Sequence, residues 1–153
     1  MDSPKFMVID DDKALLDIMG TILSSLGCQS EAFNEGGTAL RSLSEPGRAE
    51  EFDAIFLDVM MPEMNGYEVL SQLRGAAHTK GIPVIMLTAK GGYDQIIKGY
   101  NEGADYYLTK PVTKDQLVFA LDLLLSSEEQ STGSGAGSDN QKTFFCPGLD
   151  NKK

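Results

Sequence analysis

Short apolar runs recur in this chain with room for a helix between them, and that recurrence constrains the fold more than any other feature. Phe6-Met7-Val8-Ile9, Ala54-Ile55-Phe56-Leu57 and Val84-Ile85-Met86-Leu87 each run four residues without a polar interruption. A strand with one wet face would alternate. An uninterrupted run reads instead as a strand buried on both faces, in a parallel sheet with helices on either side. Each run then stops at polar residues: Asp10-Asp11-Asp12, Asp58 and Thr88. In open α/β sheets the space outside the carboxyl ends of the strands is where ligands and chemistry collect, so these stops are the first candidates for a site.

The intervening segments carry helical periodicity. Leu15, Ile18, Met19, Ile22 and Leu26 recur at three- and four-residue steps, and Gly27 is placed to close that helix in the left-handed conformation. Cys28 to Phe33 alternates weakly and reads as an edge strand. Asn34 is positioned to cap a short helix holding Leu40 and Leu43, before Ser44-Glu45-Pro46-Gly47 breaks the chain. Tyr67, Leu70 and Leu73 mark a third helix ending near Gly75, and a fourth carries Ile96, Ile97 and Tyr100 to a stop at Gly103. Asp105-Tyr106-Tyr107-Leu108 is the fifth strand, followed by Thr109-Lys110-Pro111. Thr113-x-x-Gln116 is a capping box opening a last helix over 114–127. Its stripe of Leu117, Ala120, Leu121 and Leu124 is widened by Val118, Phe119, Leu123 and Leu125, which suggests a second covered surface. Five βα units predict a parallel sheet with right-handed crossovers and helices on both faces.

The chain length of 153 residues suits one domain, over 1–127, plus a tail. Residues 128–153 include a Gly/Ser-rich stretch too poor in apolar surface to order itself, and the Phe144-Phe145 end is too short for a domain. A net charge of −10, from 23 acids and 13 bases, argues against a large nucleic-acid footprint. Cys28 and Cys146 form no disulfide framework and no zinc-ligand spacing. No apolar stretch matches a membrane span and the N-terminus lacks the form of a signal peptide, so a reducing cytoplasm is the expected compartment. His78, the only histidine, falls in a polar turn and is assigned no role.

The chemistry-bearing residues are then Asp10, Asp11, Asp58, Thr88 and Lys110, delivered by separate strands to one sheet edge. Carboxylates brought together repel, and at least one has its pKa raised unless a cation compensates. Oxygen donors of this kind select a hard divalent cation such as Mg²⁺. The acid pair after the first strand, the block Leu57-Asp58-x-x-Met61-Pro62-x-Met64-x-Gly66, the pair Thr88-Ala89 and the pair Lys110-Pro111 together resemble the receiver domain of two-component response regulators. The resemblance covers roughly residues 5–127. It implies a flavodoxin-like, doubly wound α/β fold, with a five-stranded parallel sheet in the order 2-1-3-4-5 flanked by five helices.

The resemblance also implies roles. Asp58 is similar to the family's phosphoacceptor, which takes a phosphoryl group from a phosphohistidine on a sensor histidine kinase or phosphotransfer protein. Asp11, Asp58 and the backbone carbonyl of Met60 would bind Mg²⁺, with Asp10 acting through water. Lys110 would pair with Asp58 and then with a phosphoryl oxygen, Thr88 would donate its hydroxyl to the phosphoryl group, and the Lys110-Pro111 bond would be cis. Thr88 and Tyr107 match the family's switch pair, altering the surface of the fourth helix, fifth strand and last helix for a protein partner or a phosphorylation-dependent homodimer. Such a module is not an enzyme beyond catalysing its own phosphorylation and dephosphorylation, and binds neither nucleic acid nor membrane directly. Met60 and Lys90, two residues past the acceptor and the threonine, offer no carboxylate or amide to orient a water, which predicts a long-lived phosphoryl group. Two alternatives stand beside this. One is the receiver part of a hybrid kinase or multidomain regulator; the other is a haloacid-dehalogenase-like phosphatase, in which Asp10-x-Asp12 would supply Asp10 as nucleophile.

Overall fold

The computed structural model describes residues 3–89 and 103–132, and side chains of the last helix as far as Leu124. Five parallel strands, β1 (Lys5–Ile9), β2 (Gln29–Phe33), β3 (Ala54–Asp58), β4 (Val84–Thr88) and β5 (Tyr106–Thr109), form one sheet in the order β2-β1-β3-β4-β5. The described helices are α1 (Lys13–Ser25), α2 (Gly36–Leu43), α3 (Gly66–Gly75) and α4 (Lys114–Thr132), with a 3-10 turn at Ala49–Glu51. The predicted helix carrying Ile96, Ile97 and Tyr100 lies outside the described residues, as do Lys90 and the Phe144-Phe145 end. No helix among the described residues is long and apolar enough to cross a membrane.

The sheet divides the core into two layers because successive residues of a strand face opposite sides. Met7, Ile9, Ile55, Leu57, Val84 and Met86 pack on one side against Ala39 and Leu43 of α2 and Leu70 and Leu73 of α3. Phe6, Val8, Phe56, Ile85 and Leu87 pack on the other against Met19 and Leu23 of α1 and Leu117 and Leu121 of α4. Phe6 and Phe56 meet edge to face there, with ring centroids 5.8 Å apart. The uninterrupted runs are therefore strands covered on both faces, as their sequence predicts.

Helix ends follow local chemistry with one exception. Asp12 caps α1 by accepting from the N–H groups of Ala14 and Leu15. Gly27, at φ 83°, closes it, with the Cys28 N–H reaching the Leu23 carbonyl and the Gly27 N–H the Ser24 carbonyl. The Thr113–Gln116 capping box is present. Asn34 does not cap α2: the helix begins one residue later, with Glu35 at the cap position and its carboxylate taking the Thr38 hydroxyl. Ile18, predicted for the buried stripe of α1, is 50% exposed, whereas Leu23, outside the predicted stripe, is buried with Leu15 and Met19. Helix α4 continues past the end predicted near Ser127, because Glu128, Glu129 and Gln130 are helix formers and no glycine intervenes before Gly133. On α4, Leu117, Ala120 and Leu121 are buried, whereas Phe119 and Leu123 are exposed.

Candidate functional site

Strand register builds the site. Ile9 pairs with Leu57, so Asp10 and Asp58 leave neighbouring strands at the same level, and Asp58 itself lies opposite Leu87, one residue before Thr88. Thr88 pairs with Thr109, and the Lys110 N–H bonds the Thr88 carbonyl at 2.8 Å. The four strand ends thus bring Asp10, Asp58, Thr88 and Lys110 to one edge. The Lys110-Pro111 peptide is cis, as expected.

The loop after β3 is held tightly. The Gly66 N–H bonds the Val59 carbonyl at 2.8 Å. A Cβ on Gly66 would run into the main-chain carbonyl of Asp58 and lie 2.9 Å from the Cα of Val59, so only glycine lets α3 start this close to the acid. Asn65 and Glu68 complete a reciprocal capping box at the same point. The sequence signal for that box, Asn65-x-x-Glu68, was readable and was missed.

Asp10 and Asp58 are buried, Asp11 is exposed, and a ligand oxygen from each of these three carboxylates lies within 4.8 Å of the others. The Lys110 ammonium lies 3.0 Å from Asp58 Oδ1 and 3.1 Å from Asp10 Oδ2. The first contact is a hydrogen bond, whereas the second has the distance of an ion pair without hydrogen-bonding alignment. Asp10 Oδ1 accepts the Asp12 N–H at 2.9 Å. Among the described residues, Asp10 Oδ2 and Asp58 Oδ2 are buried oxygens with no hydrogen-bond donor. Groups of that kind are costly to bury and call for an ion or a ligand.

The electrostatics agree. Burial pushes the Asp58 carboxyl up to about 6; the Lys110 hydrogen bond opposes this, the Asp10 charge adds to it, and the Met60 N–H pulls the other way. Burial works against the Lys110 charge, but its hydrogen bond to Asp58 and its attraction to Asp10 prevail and hold its pKa above the ordinary value. One ammonium serves several acids, and the donor set, all oxygen and short of positive charge, fits a hard divalent cation.

Thr88 is buried at the end of β4, with its hydroxyl donating to the Ala89 carbonyl at 3.2 Å. Tyr107 lies on β5 opposite Met86, half-buried against the α2–α3 side of the core. Met60 follows the acid with its side chain 64% exposed. Sequence reasoning also missed Arg74. Its guanidinium donates to the carbonyls of Gly103 (2.9 Å), Ile82 (2.8 Å) and Lys80 (3.2 Å) and to Asp105 Oδ2 (2.9 Å), which in turn takes the Val84 N–H. Asp105 stands just ahead of β5, which starts one residue later than predicted, and its own N–H still bonds the Val84 carbonyl at 2.9 Å.

A five-stranded parallel sheet with an acid pocket and a lysine at its carboxyl edge is the arrangement that the receiver-domain resemblance implies. The family model for the response regulator receiver domain matches residues 6–122, and the chain belongs to that family. It is a signalling module of two-component systems. Protein PilG of Pseudomonas aeruginosa is 36% identical over 120 residues, covering 78% of this chain and 86% of PilG. Regulatory protein VanRc of Enterococcus gallinarum is 37% identical over 116 residues, 76% of this chain, and there the chain spans only 47% of the relative's length. Among solved structures, a putative response regulator from Chloroflexus aurantiacus superposes with a TM-score of 0.75 at 28% identity, covering 82% of this chain and 99% of that one. The receiver-domain match replaces the phosphatase alternative, whose second acid, Asp12, is here spent capping α1.

Proposed function

We propose that Asp58 takes a phosphoryl group from a phosphohistidine of a sensor histidine kinase or phosphotransfer protein and holds it as an acyl phosphate. The observation that carries this reading is the buried Asp58 carboxylate, with one oxygen bonded to Lys110 and the other left without a donor. A carboxylate oxygen attacks phosphorus, the phosphorus–nitrogen bond breaks, and the imidazole nitrogen departs with the bonding pair. The attacking form is the deprotonated one, which a pKa of about 6 leaves dominant at neutral pH. Lys110 moves from the carboxylate to a phosphoryl oxygen and offsets charge as it spreads.

Asp11, Asp58 and the main-chain carbonyl of Met60 would hold Mg²⁺, with Asp10 contributing through water. When bound, the ion supplies the positive charge that the pocket lacks. Thr88 swings its hydroxyl from the Ala89 carbonyl to the phosphoryl group, and Tyr107 turns into the space it leaves. That rotation reshapes the face made by β5, α4 and the predicted helix carrying Ile96, and this face binds a protein target or a second copy of the chain. With Met60 and Lys90 unable to orient a water, the acyl phosphate is long-lived. Residues 1–127 act as the receiver and 128–153 as its extension, in a reducing cytoplasm. The same chemistry would serve a stand-alone module or one part of a longer regulator or hybrid kinase.

Intact-mass measurement of the full chain after treatment with acetyl phosphate and Mg²⁺ tests the reading. One phosphoryl group is expected on the wild type and none on Asp58→Asn. Labelling of Asp10, or no labelling with donor and metal in excess, would sink it.

A further inference from the structure

Among the described residues, Ile18, Met60, Phe119 and Leu123 are large apolar side chains left exposed, and two of them form a pair. Phe119 and Leu123 stand one turn apart on α4, at 58% and 40% exposure, so they share a face of the helix. Val118 and Leu124 beside them are only partly buried. Exposed Asp115 and Asp122 flank the pair, and the chain as a whole carries a net charge of −10. An isologous contact with a second copy would set these acids against themselves. The face calls for an apolar occupant that brings positive charge.

The chain itself supplies one. Helix α4 ends at Thr132, and beyond the Gly/Ser-rich stretch 133–138 come Lys142-Thr143-Phe144-Phe145-Cys146-Pro147-Gly148-Leu149, then Lys152 and Lys153. Phe144, Phe145 and Leu149 are the large apolar residues of 133–153, and the bases there outnumber the acids, Asp139 and Asp150. The reach also fits. A Gly/Ser-rich linker as long as that between Thr132 and Phe144 has a root-mean-square span of about 17–21 Å, while Leu123 and Phe119 lie about 14 and about 20 Å back along the helix from Thr132. We propose that residues 142–149 fold back on α4 and dock on the Phe119–Leu123 face, with Phe144 and Phe145 covering the apolar pair and Lys142 answering the flanking acids. Such a tether holds the segment at an effective concentration on the order of millimolar, so a contact too weak for a free peptide is populated. Any protein that uses this face must first displace the tail. The contact does not depend on the phosphoryl chemistry proposed above.

Cysteine chemistry provides the test. Cys28 is buried in the core, so a thiol-reactive nitroxide added to the native full chain is directed to Cys146, and peptide fragmentation confirms the position. In the isotope-enriched chain, NMR amide signals of α4 about Phe119 and Leu123 should lose most of their intensity and recover it when the nitroxide is reduced. Those of α2 and α3, packed on the opposite face of the sheet, should keep theirs. The loss should vanish in the Phe144→Ser, Phe145→Ser double variant, which alters nothing in the sheet or its helices, and in Phe119→Ser. No loss, an equal loss on both faces of the sheet, or a loss that persists in either variant overturns the proposal. So does an equal loss in enriched, unlabelled chain mixed with nitroxide-labelled, unenriched chain, which would make a second copy the occupant. Neither phosphodonor nor metal is present, so the outcome is separate from that of the labelling test for Asp58.

Discussion

The two ends of the sheet carry charge clusters of opposite character. At the amino edge, Arg48 bonds Glu31 at 2.8 Å, Glu51 at 2.9 Å and the Ser42 hydroxyl at 2.7 Å, while Lys5 bonds Glu51 at 2.9 Å and lies 3.5 Å from Glu31. Both cations also sit over the ring of buried Phe52, at 5.1 and 5.2 Å from its centroid. Two acids face two bases, and each is paired. The Arg48 hydrogen bond holds the Glu31 carboxyl below its ordinary range, and the Lys5 bond does the same for Glu51. At the carboxyl edge several acids share Lys110, two oxygens are orphaned, and Asp58 is pushed up to about 6. A balanced cluster is a finished piece of structure. An unbalanced one leaves a deficit that a cation and a phosphoryl group can fill, and it is there that the proposed function is placed.

The comparison can be broken in several ways. The largest expected effect is all or none: Asp58→Asn loses phosphoryl incorporation, and Arg48→Ala keeps it, as read by intact mass. Loss of labelling in Arg48→Ala would mean that the amino edge is part of the machinery.

Stability comes next. Without metal, Asp58→Asn should raise stability at pH 7 by on the order of 2 kcal/mol in urea unfolding, because it removes a buried charge whose pKa is raised on folding. Arg48→Ala should lower stability by about 1 kcal/mol, through lost hydrogen bonds and lost packing on Phe52. A destabilised Asp58→Asn would show that the carboxyl edge is no less satisfied than the amino edge.

The pH dependence has opposite sign at the two edges. The raised Asp58 pKa means the folded state binds the extra proton, so its unfavourable contribution fades as pH falls from about 6 towards the ordinary carboxylate range. The lowered pKa of Glu31 contributes stability above its unfolded value of 4.5, and that contribution is lost as pH falls through the lower folded value. Thermal melts of the metal-free wild type should therefore hold or improve on mild acidification and decline only below about pH 4.5. Asp58→Asn should lack the first phase.

The smallest effect expected is a shift of melting temperature by Mg²⁺, about 1–2 °C at a free concentration equal to Kd, vanishing in Asp58→Asn and weakening below about pH 6 as Asp58 takes a proton. A shift that survives Asp58→Asn would put the cation elsewhere.

Much of the carboxyl edge was legible in the sequence, because doubly buried strands leave unmistakable apolar runs, and whatever follows them must emerge at the same edge. Asp10, Asp58 and Thr88 were found that way, and Lys110 by its place after the less regular β5. The strand order came from the family likeness, and no local pattern encodes it. The amino-edge cluster was not legible, since Glu31, Arg48 and Lys5 are far apart in the chain and look like ordinary surface charges until the sheet brings them together. Arg74 was hidden for the same reason. Its partners Gly103 and Asp105 are some thirty residues away. Ile18 went astray because periodicity finds an apolar stripe without saying where the stripe's edge meets solvent, and Asn34 because its neighbour Glu35 took the cap position.

The Arg74 clasp has a mechanical consequence. By gripping Gly103 and Asp105 immediately ahead of β5, and Ile82 immediately ahead of β4, one guanidinium moors both strands at their starting ends. Sliding either strand along its neighbour would tear guanidinium bonds at its root, so that single side chain acts as a common anchor bolt for the pair.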